Sequence, residues 1–114
     1  MHELAITQSI LDIALHAASE QHAARIRAIR LKIGAFSGVV PECVQMYLDV
    51  LAKGTAAEGA KIEAETVPLR VQCRACGATG EIDRRHIACP ACGSVELHRL
   101  SGREFYVDSI EVDV

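Results

Sequence analysis

The stretch that decides the fold of this chain contains two similar pentapeptides, Cys73-Arg74-Ala75-Cys76-Gly77 and Cys89-Pro90-Ala91-Cys92-Gly93. Twelve residues lie between Cys76 and Cys89. Each Cys-x-x-Cys places two thiolates on one tight turn, and the glycine that follows allows the positive φ that such a turn often needs. Two such turns, facing each other across a short hairpin, form a closed tetrahedral site of four sulfurs. The spacing therefore predicts a metal-stabilised ribbon.

The predicted metal is structural zinc, because four thiolates leave no open coordination position. Iron in a rubredoxin-like site uses the same ligands and is the competing interpretation. A ribbon of this size has almost no core, so much of its folding free energy should come from the metal. Several basic residues in or beside the segment can offset the negative charge of the thiolates: Arg74, Arg84, Arg85, His86 and Arg99.

Composition limits the class of protein. The chain has 114 residues, 50% of them hydrophobic, and a net charge of −3 with acids and bases interspersed, which disfavours nucleic-acid binding. No apolar run approaches the ~18 residues that span a membrane. No leader pattern precedes the first cysteine, and five cysteines fit metal ligands plus one free thiol. We expect a cytoplasmic protein with neither a membrane nor a nucleic-acid partner.

A phosphate-binding Gly-rich loop and a plausible nucleophile are both missing, so we expect no enzyme activity.

Hydrophobic periodicity outlines the remaining elements. A first helix is predicted from Leu4 to His22, and a second begins at Pro41 and ends near Gly54. Strands are predicted from Arg25 to Ile33, from Lys61 to about Val71 and from Glu104 to Val114. The apolar stripe of the first helix is predicted to contain Ile6, Ile10, Ile13 and Ala17, with Leu11, Leu15 and Ala18 beside it.

These elements predict an α+β fold, with two helices packed on a small, three-stranded, mainly antiparallel sheet and an inserted zinc ribbon. We expect one domain from residues 1–70 and 101–114, and a ribbon domain from residues 71–100. Acidic Glu63 and Glu65 alternate with apolar residues, so they are expected to pair with Arg30 and Lys32 of the neighbouring strand.

The amino terminus reads Met1-His2-Glu3. It offers the Met1 amine, the backbone nitrogens of His2 and Glu3 and the His2 imidazole, and four nitrogens in one plane suit Ni(II) or Cu(II). Three residues are too few to be specific on their own. Elsewhere, Cys43 is predicted to be a buried free thiol. We expect His86 and His98 to face solvent, although the sequence leaves open that either supplies an extra metal ligand.

Further segments accompany the cysteine pairs and the terminal tripeptide, in order and over essentially the whole chain. They are Ile33-Gly34-Ala35-Phe36-Ser37-Gly38-Val39-Val40-Pro41-Glu42, Gly54-Thr55-Ala56-Ala57-Glu58-Gly59-Ala60 and Ser109-Ile110-Glu111-Val112. With them, the chain resembles the HypA/HybF family of hydrogenase nickel-incorporation proteins. The resemblance implies a nickel metallochaperone that helps to build the [NiFe] centre of hydrogenase and, in some organisms, helps to supply urease.

The same resemblance implies the site residues and partners. Nickel would be cargo on Met1, His2 and Glu3, and zinc would be held by Cys73, Cys76, Cys89 and Cys92. The implied partners are a nickel-binding maturation GTPase, the hydrogenase large subunit and, in some organisms, urease maturation proteins. The protein itself would be a monomer or a homodimer.

Two other classes of function compete with this interpretation. The first is a zinc-ribbon adaptor for nucleic acid or a transcription component. It is weakened by the acidic balance and by the lack of any aromatic residue between Cys73 and Glu104 on which a base could stack. The second is a redox or metal sensor, which is weakened by the lack of an evident effector domain.

Overall fold

The computed structural model describes residues 3–114, which form two helices and six strands. The elements are α1 (Glu3–Glu20), β1 (Arg25–Gly34), α2 (Pro41–Leu51), β2 (Lys61–Val67), β3 (Leu69–Cys73), β4 (Thr79–Ile82), β5 (Leu97–Ser101) and β6 (Phe105–Asp113). The strands form two three-stranded sheets, ordered β2-β1-β6 and β4-β3-β5. The predicted α+β fold with a separate ribbon is confirmed. Within the described residues, neither helix is long and apolar enough to cross a membrane.

The chain divides into two compact units. The helical unit contains the described part of Met1–Lys32, together with Val39–Glu65 and Tyr106–Val114. The ribbon unit contains Ile33–Gly38 and Thr66–Phe105. Whether residues 71–100 also fold as an autonomous domain, with boundaries after residues 70 and 100, stays a prediction.

Helix α1 buries a stripe that differs from the predicted one. The buried residues are Thr7, Ile10, Leu11, Ala14 and Ala18, whereas Ile13 is 53% exposed. The prediction for Ile13 was wrong because the small side chains of Ala14 and Ala18 sit at the centre of the contact face. The Thr7 hydroxyl can be buried there because it donates a hydrogen bond of 2.6 Å to the Glu3 carbonyl oxygen.

Strand β1 lies at the centre of its sheet and supplies much of the core of the chain. Its buried residues are Ile26, Ala28, Ile29, Leu31, Ile33 and Gly34. The expected charge pairs with β2 are confirmed: Arg30 Nε lies 2.9 Å from Glu63 Oε1, and Lys32 pairs with Glu65. Both pairs advance in the same direction along the two strands, which indicates that β1 and β2 are parallel. Helix α2 lies between them in the sequence, as a crossover connection requires.

The single strand predicted from Lys61 to Val71 is two strands, and this prediction was wrong. Strand β2 ends at Val67, and β3 begins at Leu69 in the other sheet. Pro68 stands between them and has no N–H to donate to a strand neighbour, so a continuous ladder is interrupted there. The predicted third strand is confirmed as β6, the other neighbour of β1.

Two glycines of the ribbon unit approach each other closely. The Gly34 N–H donates to the Glu104 carbonyl oxygen at 2.6 Å, and the Phe36 N–H donates to the Gly102 carbonyl oxygen at 2.8 Å. A Cβ atom at Gly34 would overlap the Gly102 carbonyl group and the Arg103 backbone nitrogen. Only a residue without a side chain fits at position 34.

We therefore expect Gly34→Ala to lower the free energy of unfolding by about 2–3 kcal/mol, as overpacking against backbone does. Gly54→Ala is the matched control, because Gly54 has a φ of +80° but nothing within 4 Å of an added Cβ. That change should cost only about 1 kcal/mol. Urea unfolding of the two variants measures both losses, and equal losses would contradict the close approach.

Candidate metal centre

The first cysteine pair lies where β3 ends. Cys73 is the last residue of β3, and its N–H donates to the Ala78 carbonyl oxygen at 2.8 Å. The Gly77 N–H donates back to the Cys73 carbonyl oxygen at 2.9 Å, and Gly77 has a φ of +79°. These bonds close the turn that presents both thiols on one side.

The second pair repeats this geometry. The Cys89 N–H donates to the Ser94 carbonyl oxygen at 2.7 Å, and the Gly93 N–H donates to the Cys89 carbonyl oxygen at 2.9 Å. Gly93 has a φ of +78°, close to that of Gly77. The two predicted turns therefore have the same hydrogen bonds and the same need for glycine.

The structure brings all four predicted sulfurs together. The Sγ atoms of Cys73, Cys76, Cys89 and Cys92 lie within 4.8 Å of one another, and the Cys73–Cys92 and Cys76–Cys89 separations are both 3.6 Å. A disulfide would require about 2.05 Å, and all four thiols are free. Tetrahedral coordination with Zn–S bonds of about 2.3 Å places sulfurs about 3.8 Å apart. The donor set and its spacing fit one tetrahedral ion.

Backbone amides point at one sulfur of each pair. The N–H groups of Cys76 and Ala75 donate to Cys73 Sγ at 3.4 and 3.3 Å, and they lower the pKa of that thiol to about 6. The Cys89 thiol receives the N–H groups of Cys92 and Ala91, both at 3.4 Å, which likewise lower its pKa. Both sulfurs are thus prepared to be thiolates, the form that binds metal.

The thiols of Cys76 and Cys92 have raised pKa values instead. A backbone contact from Ser94 works to lower the pKa of Cys92, but hydrogen bonds with the other three sulfurs outweigh it and raise the pKa to about 12. The pKa of Cys76 is also raised: the Ala78 backbone lowers it, and sulfur contacts led by Cys89 oppose this. Four thiolates this close would repel one another, so the metal-free cluster retains protons that a cation would displace.

The four sulfurs differ in exposure. Cys73 and Cys89 are buried, whereas Cys76 and Cys92 are exposed. A site with four protein ligands near the surface keeps no open position for a reacting water, so it is suited to hold structure rather than to catalyse.

The other predicted site residues lie elsewhere. Met1 and His2 lie outside the described residues. Glu3 is the first residue of α1, where its carbonyl oxygen accepts the Thr7 hydroxyl. His86 and His98 are exposed and lie outside the sulfur cluster, and Cys43 is half-buried rather than buried. Between residues 3 and 114, no other group of three or more His, Cys, Asp or Glu side chains converges on a metal-sized site.

Sequence reasoning missed the local role of Asp83 and Arg84. The Asp83 carboxylate accepts the N–H groups of Arg85 at 2.7 Å and His86 at 3.0 Å, which fixes the turn after β4. Arg84, expected to offset thiolate charge, lies 4.9 Å from the centroid of the Phe36 ring. The Asp two residues before Arg85 is a known turn signal, but the partner of Arg84 is remote in sequence.

Sequence comparison gives a consistent result over nearly the whole chain. The family described as "Hydrogenase/urease nickel incorporation, metallochaperone, hypA" matches residues 1–112. A hydrogenase maturation factor HypA of Moorella thermoacetica is 40% identical over 111 residues, covering 97% of this chain and 98% of the relative. A HypA of Dehalococcoides mccartyi is 39% identical over 113 residues, covering 99% and 95%.

Solved structures share the fold. The solution structure of the Ni metallochaperone HypA from Helicobacter pylori gives a TM-score of 0.65 at 16% identity, covering 99% of this chain and 98% of that one. A second solution structure of a HypA protein gives a TM-score of 0.71 at 18% identity, covering 98% and 96%. At these identities the likeness concerns the fold alone, and the family assignment rests on the sequence matches. On those matches, the chain belongs to the HypA family of metallochaperones for nickel incorporation into hydrogenase and urease.

Proposed function

We propose that this protein is a nickel metallochaperone for the maturation of [NiFe] hydrogenase. The observation that carries the proposal is identity of 39–40% to hydrogenase maturation factors, over at least 97% of the chain. The family consists of metallochaperones rather than enzymes. The family description also includes nickel incorporation into urease. We extend the proposal to urease only for a cell that contains this enzyme.

The proposed nickel site is the amino terminus. The ligands are the Met1 amine in its free form, the His2 imidazole and the backbone nitrogens of His2 and Glu3, which together suit square-planar Ni(II). The position of Glu3 supports this assignment. The first four N–H groups of a helix have no acceptor within it, so the Glu3 nitrogen can bind nickel without the loss of a helical hydrogen bond.

Charge also favours this ligand set. The start of a helix carries a partial positive charge, which opposes a bare divalent cation. Two backbone nitrogens that lose their protons neutralise the two charges of Ni(II), so the complex at the start of α1 is neutral overall. An open, terminal site lets an incoming ligand reach the ion, as transfer of cargo requires.

The four cysteines are proposed to hold structural zinc. Their spacing, their four N–H···S hydrogen bonds and the lack of a fifth donor in the cluster among residues 3–114 support zinc in a closed tetrahedral site. When bound, zinc supplies the cross-link that the small ribbon core lacks. Cys73 and Cys89 orient the ion through their amide-stabilised sulfurs.

The proposed partners are those of a cytoplasmic maturation pathway. They are a GTPase that also binds nickel, the hydrogenase large subunit and, where urease is a client, urease maturation proteins. The relatives reported above are hydrogenase maturation factors, so this class of function is preferred over a nucleic-acid adaptor.

We expect calorimetry on untagged, zinc-loaded protein to give one tightly bound Ni(II) per chain. Since loss of a mere supporting residue weakens metal sites about 10–100-fold, loss of a ligand in His2→Ala should weaken binding at least about 100-fold. One extra residue before Met1 should do the same, because it moves the amine. His16→Ala is the matched control, since His16 is exposed and pairs with Glu20 on the same helix. Tight binding that survives the added residue would exclude the terminal site.

We expect Cys73→Ala to lose zinc and to unfold the ribbon while the terminal nickel site stays intact. Elemental analysis measures zinc, circular dichroism measures folding, and the nickel titration reports on the terminus. Cys43→Ala should keep its zinc, because Cys43 lies outside the sulfur cluster. Loss of zinc and nickel together in Cys73→Ala would show that the two sites are not separable.

A further inference from the structure

A groove on the ribbon unit carries chemistry that neither metal site uses. It has a volume of about 570 Å³, and every residue that lines it belongs to the ribbon unit. Volumes of about 300–1,000 Å³ are typical of ligand sites. Its lining includes the apolar residues Phe36, Leu69 and Ile82 and the basic residues Arg84 and Arg85.

The two carboxylates beside the groove are already engaged. Glu81 lies 3.5 Å from Arg70, with which it pairs across β4 and β3. Asp83 accepts the N–H groups of Arg85 and His86, and these bonds lower its pKa. Asp83 therefore stays ionised and holds the turn. Because Arg70 compensates Glu81, the two arginines exceed the one remaining carboxylate of the lining, and the groove keeps a net positive charge.

The arginines are consequently available for an external anion. Arg84 is held against the Phe36 ring at 4.9 Å and donates from Nη2 to the Ala35 carbonyl oxygen at 3.3 Å. The side chain of Arg85 has no hydrogen-bond or ion-pair partner among residues 3–114. The turn that Asp83 fixes thus presents two guanidinium groups beside an apolar surface. Because this turn is already ordered in the free protein, binding loses less conformational entropy.

We propose that this groove docks an acidic peptide segment of a partner protein, with an apolar side chain on Phe36 and Ile82 and carboxylates on Arg84 and Arg85. The planar guanidinium group matches a carboxylate with two parallel hydrogen bonds. The apolar residues of the lining favour a ligand that has an apolar side chain next to its negative charges. A bare phosphate ion has no such side chain.

The proposal goes beyond nickel binding and does not depend on it. The test uses the full, zinc-loaded chain labelled with ¹⁵N and a synthetic, end-capped probe peptide, Glu-Glu-Leu-Phe-Glu-Glu. We expect saturable shifts at the amides of Phe36, Leu69, Ile82 and Arg85, with a Kd of about 1 mM or tighter. Binding should be lost in about 0.5 M NaCl, and a peptide with Lys in place of every Glu should not bind.

Charge reversal locates the contact. Arg85→Glu should weaken the peptide at least about tenfold, because it replaces an attraction by a repulsion. Arg99→Glu is the matched control: Arg99 lies on β5, outside the groove, and should change the Kd by less than about twofold. Nickel titration of both variants should match the parent, so a failure of the nickel proposal is visible separately.

Three results would overturn the proposal. One is the absence of saturable shifts in the groove, and another is an equal loss of affinity in Arg85→Glu and Arg99→Glu. The third is an oligothymidylate decamer that produces the same shifts at a lower concentration than the peptide. That last result would assign the surface to nucleic acid.

Discussion

Four sulfur atoms must lie within 4.8 Å of one another, and the ribbon depends on this constraint. Between Leu69 and Ser101 the buried residues are Leu69, Val71, Cys73 and Cys89, so two of the four are themselves members of the cluster. So few buried side chains cannot offset the entropy of ordering some thirty residues. Four thiolates this close would also repel one another, so the cluster keeps protons until a cation displaces them. In the proposed function, zinc would complete the core of the ribbon.

The helical unit is built on a different principle. Within this unit, β1 buries Ile26, Ala28, Ile29 and Leu31, and α1 and α2 add Ile10, Leu11, Val44 and Leu48. Hydrophobic burial therefore stabilises the helical unit. In the proposed function this division has a purpose. Structural zinc would stabilise the ribbon. Nickel, the cargo, would bind at the start of α1, a helix whose packing does not depend on nickel.

Much of this could be predicted from local patterns. Cysteine spacing, glycine after each pair, Pro41 at a helix start and the alternation of Glu63 and Glu65 are all short-range signals with a direct physical cause. Two predictions failed because the same sequence pattern was compatible with two different structures. Ile13 fits an apolar stripe on periodicity, but close packing selected Ala14 and Ala18. The run from Lys61 to Val71 begins with a clear alternation up to Glu65 and stays rich in strand-forming residues, yet Pro68 cannot donate a ladder hydrogen bond and the run divides there.

The sequence by itself determined the four-cysteine cluster, the family and the order of the two helices and of β1, β2 and β6, because cysteine spacing, backbone propensity and periodicity act over a few residues. Only the tertiary structure decided which side chains meet across long stretches of chain. It placed Phe36 beneath Arg84, opposed Gly34 to Gly102 and made β1 and β2 run in the same direction. Such contacts depend on packing and on chain crossovers, which no local pattern records. The groove and its two arginines therefore became visible only in the folded chain.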